Sequence, residues 1–332
     1  MNLNLLIENL TNPALLFFVL GLIAVYIHSD LKIPANSSKF ISLYLLFSIG
    51  FKGGQELSQE PFSQEVLWSM IFGICISLAI PVYTFFILKR KLNVYDAGAI
   101  AAAYGSVSAV TFVTAVSYLE SQHMEINGHM VAIMALMESP AIIAGLILIS
   151  IYNTSSEDRI KKSTALKHSF TNGSVLMILG SLVIGYLASA KHAEGIKPFT
   201  TDIFKGFLAI FLLDMGIASG KKIGALKSTG VFPLLFAVII PLFNGTVVAL
   251  LSAIVTDDVS NRFVFAVLAA SASYIAVPAA MKIAAPKANP GIFLPMTLAV
   301  TFPINITFGM PLYFWMVSAS PGLHASFVSF IK

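Results

Sequence analysis

Apolar stretches about as long as a membrane-spanning helix recur along the whole chain, separated by short polar breaks such as KRKLN at 89–93, TDD at 256–258 and PKANP at 286–290. About 20 residues of helix cross a hydrocarbon core of roughly 30 Å. Ten spans can be drawn on that basis: 13–28, 34–52, 66–89, 95–119, 129–152, 173–190, 203–219, 231–255, 262–285 and 291–317. Composition agrees, with 57% hydrophobic and only 11% charged residues, where a soluble domain carries about 25% charged. The pattern predicts an all-α polytopic membrane protein with ten transmembrane helices, embedded in the lipid bilayer.

The basic residues orient it. With the N-terminus outside, Lys32, Lys39, Lys89, Arg90, Lys91, Arg159, Lys161, Lys162, Lys167, Lys221, Lys222, Lys227, Lys282 and Lys287 fall on the inside. That is 14 of 20 Lys and Arg, so the positive-inside rule places both termini outside. The net charge of +4 is spread over short loops and is no nucleic-acid signature. Cys75 is the lone cysteine, so the chain holds no internal disulfide. The opening MNLNLLIENLTN has no basic region, and no small-residue cleavage site follows the first apolar block. That block reads as a retained helix and not a signal peptide.

The halves on either side of the charged stretch 153–172 resemble each other. LLFSIGFKGG (45–54) matches FLLDMGIASG (211–220), aligning Gly50 with Gly216 and Gly54 with Gly220. Gly105-Ser-Val-Ser-Ala answers Ala270-Ser-Ala-Ser-Tyr, Met137-Glu-Ser-Pro-Ala answers Thr301-Phe-Pro-Ile, and Ile80-Pro-Val answers Ile240-Pro-Leu. Five spans per half is odd, so the second copy must lie upside down. Inverted repeats are a recurring plan of secondary transporters. The expected division is a first five-helix repeat at 1–152, a cytoplasmic linker at 153–172 and a second, inverted repeat at 173–332.

Two stretches inside the apolar spans are rich in small and polar residues: YGSVSAVT (104–111) and LAASASYIAVP (268–278). Irregular backbone survives in a membrane only against protein or a watery cavity. If the fourth and ninth helices break there, each presents a half-helix N-terminus, with free N–H groups and a positive dipole end, to the middle of the membrane. Two such ends facing each other hold an anion without a buried Lys or Arg. The candidate binding residues are Gly105, Ser106, Val107, Ser108, Ala109, Thr111, Ser271, Ala272, Ser273 and Tyr274. The competing reading is that these residues only pack a tight helix crossing.

Ionisable groups within spans are costly, roughly 2.5–3.5 kcal/mol for a central Asp, Lys or Arg. Glu138 and Asp214 therefore stand out as sites for Na⁺ or proton coupling, with a structural role the alternative for each. Asn244 and Asn305 are polar and deep, and Pro81, Pro140, Pro241, Pro278 and Pro303 lie within spans. Lys52 and Lys282 sit near span ends and read as snorkelling side chains. An enzyme is not expected. The histidines lie at span ends or in loops, and no HExxH, CxxC, GxSxG or Walker loop occurs. The lack of a nucleotide loop also argues against a primary pump.

LLFSIGFKGGQEL, YGSVSAVTFVTAVSYLE, MESPAIIAG, LAASASYIAVPAAMKIAAPKANP and TFPINI together resemble the landmarks of the sodium-dependent bicarbonate transporter family (SbtA type) over nearly the whole chain. The resemblance implies a core of spans 3–5 and 8–10 and a gate of spans 1, 2, 6 and 7. It also implies a homotrimer in a bacterial inner membrane that imports bicarbonate with Na⁺, and a PII-like cytosolic regulator as partner. Bicarbonate-carrying members have an acidic residue where this chain has Tyr274, and Asp-Ile-Pro where it has Glu138-Ser139-Pro140. The central loop is also short for regulator docking. The expected function is import of bicarbonate or a similar small anion by alternating access. A cation/proton exchanger with Glu138 as proton carrier, or a non-transporting receptor or scaffold, are the alternatives.

Overall fold

A computed structural model describes residues 11–59, 63–153, 173–320 and 322. The linker expected at 153–172 lies, except for Asn153, outside the described residues, as do both chain ends. Every regular element among the described residues is helical. The longer helices are α1 (Pro13–Tyr26), α2 (Ala35–Gln59), α3 (Gln64–Leu88), α4 (Val94–Gly105), α5 (Ala109–Ser121), α6 (His129–Tyr152), α7 (Gly173–Leu187), α8 (Phe204–Thr229), α9 (Val231–Leu251), α10 (Val259–Ala270), α11 (Ala276–Ala284) and α12 (Pro290–Ala319).

Among the described residues, six segments are long and apolar enough to cross a bilayer: Gln64–Leu88, Val94–Ser121, His129–Tyr152, Pro198–Gly224, Val231–Ile254 and Pro290–Ala319. The chain is thus a multi-pass helical membrane protein. Within the apolar window of Val94–Ser121, 89% is buried against protein, compared with 39% for Val231–Ile254. The difference fits the backbone. Val94–Ser121 is interrupted between α4 and α5, and unpaired backbone cannot face lipid, whereas α9 is unbroken and turns Ile239, Phe243 and Leu250 outward.

Small residues set the closest packing. α1 lies along α8, and α2 along α7. A Cβ on Gly50 would sit 2.7 Å from the Ile178 carbonyl oxygen, and one on Gly54 would meet the Leu182 carbonyl. Gly216 faces the Phe18 carbonyl and Gly220 the Val25 side chain. These helices touch backbone to backbone, where dispersion substitutes for a hydrophobic driving force that lipid does not supply. Of the glycines aligned in sequence, Gly50 and Gly216 therefore do the same work in the two pairs, while Gly54 meets backbone and Gly220 a side chain.

Two hydroxyls of α3 are satisfied by the turn that precedes them. Thr84 Oγ1 donates to the Ile80 carbonyl at 2.6 Å and Ser77 Oγ to that of Ile74 at 2.9 Å. Pro81, Pro140 and Pro241 sit inside continuous helices. Pro278 lies in the first turn of α11, where its missing N–H costs nothing. Around Pro303, α12 widens into π-type turns at Pro295–Thr301 and Asn305–Gly309.

Arg262 stands at the drawn start of the ninth span, and the structure places it inside the helix. The helix begins at Val259, so Arg262 falls in its first turns and is 1% exposed. Its guanidinium donates to the Ser320 carbonyl at 2.9 Å, to Ser320 Oγ at 2.6 Å and to the Ala249 carbonyl at 3.3 Å. It ties the head of α10 to the ends of α9 and α12. Lys52 is no lipid-facing snorkel. It pairs with Glu120 at 3.6 Å, Glu125 at 3.5 Å and, one turn away, Glu56 at 4.0 Å.

Candidate functional site

Both broken helices break where the small-residue motifs stand. α4 ends at Gly105, and Ser106 leaves the helix with an extended backbone (φ −83°, ψ 160°). Ser108 caps α5, its Oγ accepting from the Thr111 N–H at 3.2 Å, a favoured arrangement for a helix N-terminus. α10 ends at Ala270, and α11 restarts at Ala276. Gly105 is needed for packing: a Cβ there would run into the Pro81 ring.

The two breaks cross and stitch each other. The Ser108 N–H donates to Ser271 Oγ at 3.0 Å, and the Ser273 N–H donates to the Ala103 carbonyl at 2.8 Å. Ser271 Oγ in turn donates to the Leu268 carbonyl at 2.8 Å. Asn305 Nδ2 donates to the Ala270 carbonyl at 2.6 Å, and Ser106 Oγ to the Glu138 carbonyl at 3.3 Å. Three carbonyls at the two interruptions, those of Ala103, Leu268 and Ala270, therefore find donors, as buried backbone groups tend to. Removing one donor or acceptor has a defined cost. Ser271→Ala leaves the Ser108 N–H without its acceptor and should destabilise the protein by about 1–3 kcal/mol. Ser271→Thr, which keeps the hydroxyl, should recover most of it in a thermal-unfolding comparison.

What the crossing leaves open is a small cavity of about 20 Å³ lined by Val107, Ser108, Ala109, Ser273, Tyr274, Ile275 and Ala276 from the breaks, Glu138 from α6, and Ser42 and Leu46 from α2. That is room for roughly one water. The starts of α5 and α11 both line it. The Ala109, Val110 and Ala276 N–H groups have no acceptor among the described residues. Glu138 is 7% exposed, and its carboxylate accepts no hydrogen bond among the described residues. The Tyr274 hydroxyl reaches Met215 Sδ at 3.7 Å and the Ser108 side chain, and its ring packs on Phe302.

The sequence candidates thus separate into groups. Val107, Ser108, Ala109, Ser273, Tyr274 and Glu138 line the cavity, while Ser106, Ser271, Ala272, Gly105 and Thr111 are buried in the scaffold around it. Asp214 does not line the cavity; the Ser38 hydroxyl donates to its carboxylate. Asn305 caps α10, and Asn244 accepts from the Tyr83 hydroxyl, joining α9 to α3. Pro140 lies two residues after Glu138 in α6, Pro278 in the first turn of α11, and Pro303 two residues before Asn305.

Sequence reading missed several participants. The Tyr104 hydroxyl and Thr301 Oγ1 are 2.8 Å apart, and Thr301 Oγ1 lies 2.8 Å from the Ala237 carbonyl. Ser42 and Leu46 looked like ordinary residues of an apolar helix. A wider cavity of about 740 Å³ lies at the far end of α5, lined by Ile49, Lys52, Glu120, His123, Asp202 and Lys205 among others. There Glu120 bridges Lys52 of α2 and Lys205 of α8, the latter at 3.5 Å.

Among the described residues no cluster of three or more His, Cys, Asp or Glu could hold a metal ion. The oxygens around the small cavity are one carboxylate, hydroxyls and backbone, the hard donors that suit an alkali or alkaline-earth cation. The N–H groups at the two helix starts suit an anion. Curated proteins give no match to the chain. The sequence matches the profile of the Na⁺-dependent bicarbonate transporter superfamily over residues 13–318, which includes both breaks, Glu138 and every cavity-lining residue. The profile describes transporters and not enzymes, and with nearly the whole chain inside it, this protein belongs to the Na⁺-dependent bicarbonate transporter superfamily.

Proposed function

We propose that the protein imports bicarbonate, or a similarly small oxyanion, together with Na⁺, by alternating access around the crossed breaks. One observation carries this reading: two helix starts and an unpartnered buried carboxylate share one cavity that no basic side chain lines. The helix starts attract an anion. Glu138 by itself would repel it. An anion and a carboxylate can share so small a space only if a cation neutralises the carboxylate, Na⁺ beside it or a proton on it, and that requirement is a physical basis for coupled transport. Ser108, Ser273 and the free amides hold the anion, Ser106 and Ser271 fix the backbone that presents those amides, and Glu138 serves the coupling ion. Asp214, hydrogen-bonded by Ser38, is assigned no ligand role.

Ten spans in two inverted repeats are part of the same proposal. Several relations support it because they recur with the halves exchanged. The first helix of each half, α1 or α7, packs on the second helix of the other, α8 or α2. The third residue of α4, Asp96, accepts from the Asn289 N–H at 2.6 Å, ahead of the last span of the second half. The third residue of α10, Asn261, accepts from the Asn127 N–H at 3.3 Å, ahead of the last span of the first half. On this plan α3–α6 and α9–α12 form the core, α1, α2, α7 and α8 the gate, and the 740 Å³ cavity an outer vestibule. The homotrimer, the inner-membrane location, the external termini and the PII-like regulator remain expectations from the family resemblance.

Uptake of labelled bicarbonate into proteoliposomes, with and without an inward Na⁺ gradient, tests the proposal. Uptake should require the gradient. Equal uptake without sodium would remove the coupling, and uptake of another anion in place of bicarbonate would remove the substrate. Cation/proton exchange through Glu138 would appear as cation flux driven by pH alone.

A further inference from the structure

The small cavity has walls of two kinds. One belongs to the broken helices; the other is Ser42 and Leu46, one turn apart on α2. The same two residues, with Ala109, also line a second void of about 10 Å³ that Val113 and Phe211 close from the other side. Beyond it, Ile49 and Val116, then Lys52 and Glu120, lead into the 740 Å³ cavity. Positions 42, 46, 49 and 52 of α2 thus face positions 109, 113, 116 and 120 of α5 at helical spacing. Leu46 is 2% exposed and stands between the wide cavity and the site. Ser42 is half-buried, and its hydroxyl has no hydrogen-bond partner among the described residues.

We infer that Ser42 and Leu46 determine substrate specificity from the opposite wall: the Ser42 hydroxyl hydrogen-bonds the bound oxyanion, and the Leu46 side chain limits its size. The inference rests on the proposed anion site. Amides at the helix starts serve one side of a planar oxyanion, and its remaining oxygen needs a donor from elsewhere. A serine hydroxyl facing the cavity supplies one. A cavity that holds about one water must widen for an ion of four heavy atoms, and α2 is the wall that a second helix group can move. Leu46 then fixes how much further widening is allowed.

Transport and labelling test this separately. In proteoliposomes, Ser42→Ala should raise the bicarbonate KM by roughly 10-fold or more, the loss of a hydrogen bond to a charged group. Leu46→Ala should let propionate and butyrate compete with bicarbonate at concentrations about 10-fold or more below those the wild type needs, since one methylene of pocket space is worth about that factor. Leu46→Val should give a smaller shift in the same direction, and it keeps the test alive if the alanine variant fails to fold. Independently, Ser42→Cys in a Cys75→Ser background, which has no other cysteine, reports the path without transport. A water-soluble methanethiosulfonate should modify it about 10-fold faster when Leu46→Ala is added. An unchanged size limit and an unchanged labelling rate would overturn the assignment. Lack of bicarbonate uptake by the wild type, with faster labelling retained, would sink the bicarbonate reading while leaving Leu46 as the barrier.

Discussion

Glu138→Gln should abolish sodium-driven bicarbonate uptake, lowering the rate under an inward Na⁺ gradient by about 100-fold or more, the consequence of losing several kcal/mol from a buried charge pair. The protein should fold at least as well as the wild type. Glutamine keeps the shape, and at 7% exposure the carboxylate occupies a place where charge is expensive. Its side chain accepts no hydrogen bond among the described residues, so its removal strands no donor. A residue kept only for structure would behave in the opposite way, with lower stability and sodium dependence intact in whatever uptake survived. Glu138→Asp retains the charge but withdraws it by one methylene. It should lower apparent sodium affinity and keep a measurable maximal rate. The check is a sodium titration of labelled uptake for the three proteins, beside their thermal unfolding in detergent. Sodium-driven uptake by the glutamine variant at near wild-type rate would exclude Glu138 from the coupling site.

How much of this was legible in the sequence follows from how local each signal is. The breaks at Ser106–Ser108 and Ser271–Ile275 stand where the serine, glycine and alanine runs stand, because unwinding a membrane helix needs small residues and nearby hydroxyls, and both are written into a few consecutive positions. Glu138 was visible because a carboxylate inside an apolar run has few cheap explanations. The tight helix pairs were visible only as matched glycines; which helix each glycine meets is tertiary. The same limit hid Ser42 and Leu46. A serine in an apolar helix ordinarily bonds its own preceding turn, and nothing near position 42 separates that case from a hydroxyl facing a cavity. The partners of Arg262 were hidden for a related reason. It opens the ninth span as drawn, but only the structure shows Asp258 capping a helix that starts at Val259 and the arginine turning inward to carbonyls at two distant helix ends. Asp214 shows the limit from the other side. Its burial in an apolar run suggested a ligand, while Ser38 from a neighbouring helix already supplies a hydrogen bond.

Gly54→Leu should be the most damaging single substitution away from the site, costing about 3 kcal/mol or more, at or beyond the upper end for overpacking. Relief is usually found by rotating a side chain, but here the obstacle is backbone. A Cβ at position 54 would meet the Leu182 carbonyl, lie 2.7 Å from the Tyr186 nitrogen and lie 2.9 Å from the Gly185 Cα. α2 and α7 must separate along their length, forfeiting the dispersion contacts that hold a helix pair in lipid. Lost with them would be the hydrogen bonds of the Gln55 side-chain amide, which donates to the Gly185 carbonyl and, at 2.8 Å, to that of Ala188. Gly216→Leu should do comparable harm, since its Cβ would meet the Phe18 carbonyl and come 3.1 Å from the Gly21 Cα. Gly180→Ala is the control. Nothing lies within 4 Å of the added carbon, so exchanging glycine for alanine inside α7 should be neutral or stabilise by up to about 1 kcal/mol. Thermal unfolding and size-exclusion profiles of the three variants in detergent make the comparison. Wild-type stability for Gly54→Leu would mean that the α2–α7 contact is not formed as described, and with it would go the equivalence to α1–α8 on which the inverted-repeat reading relies.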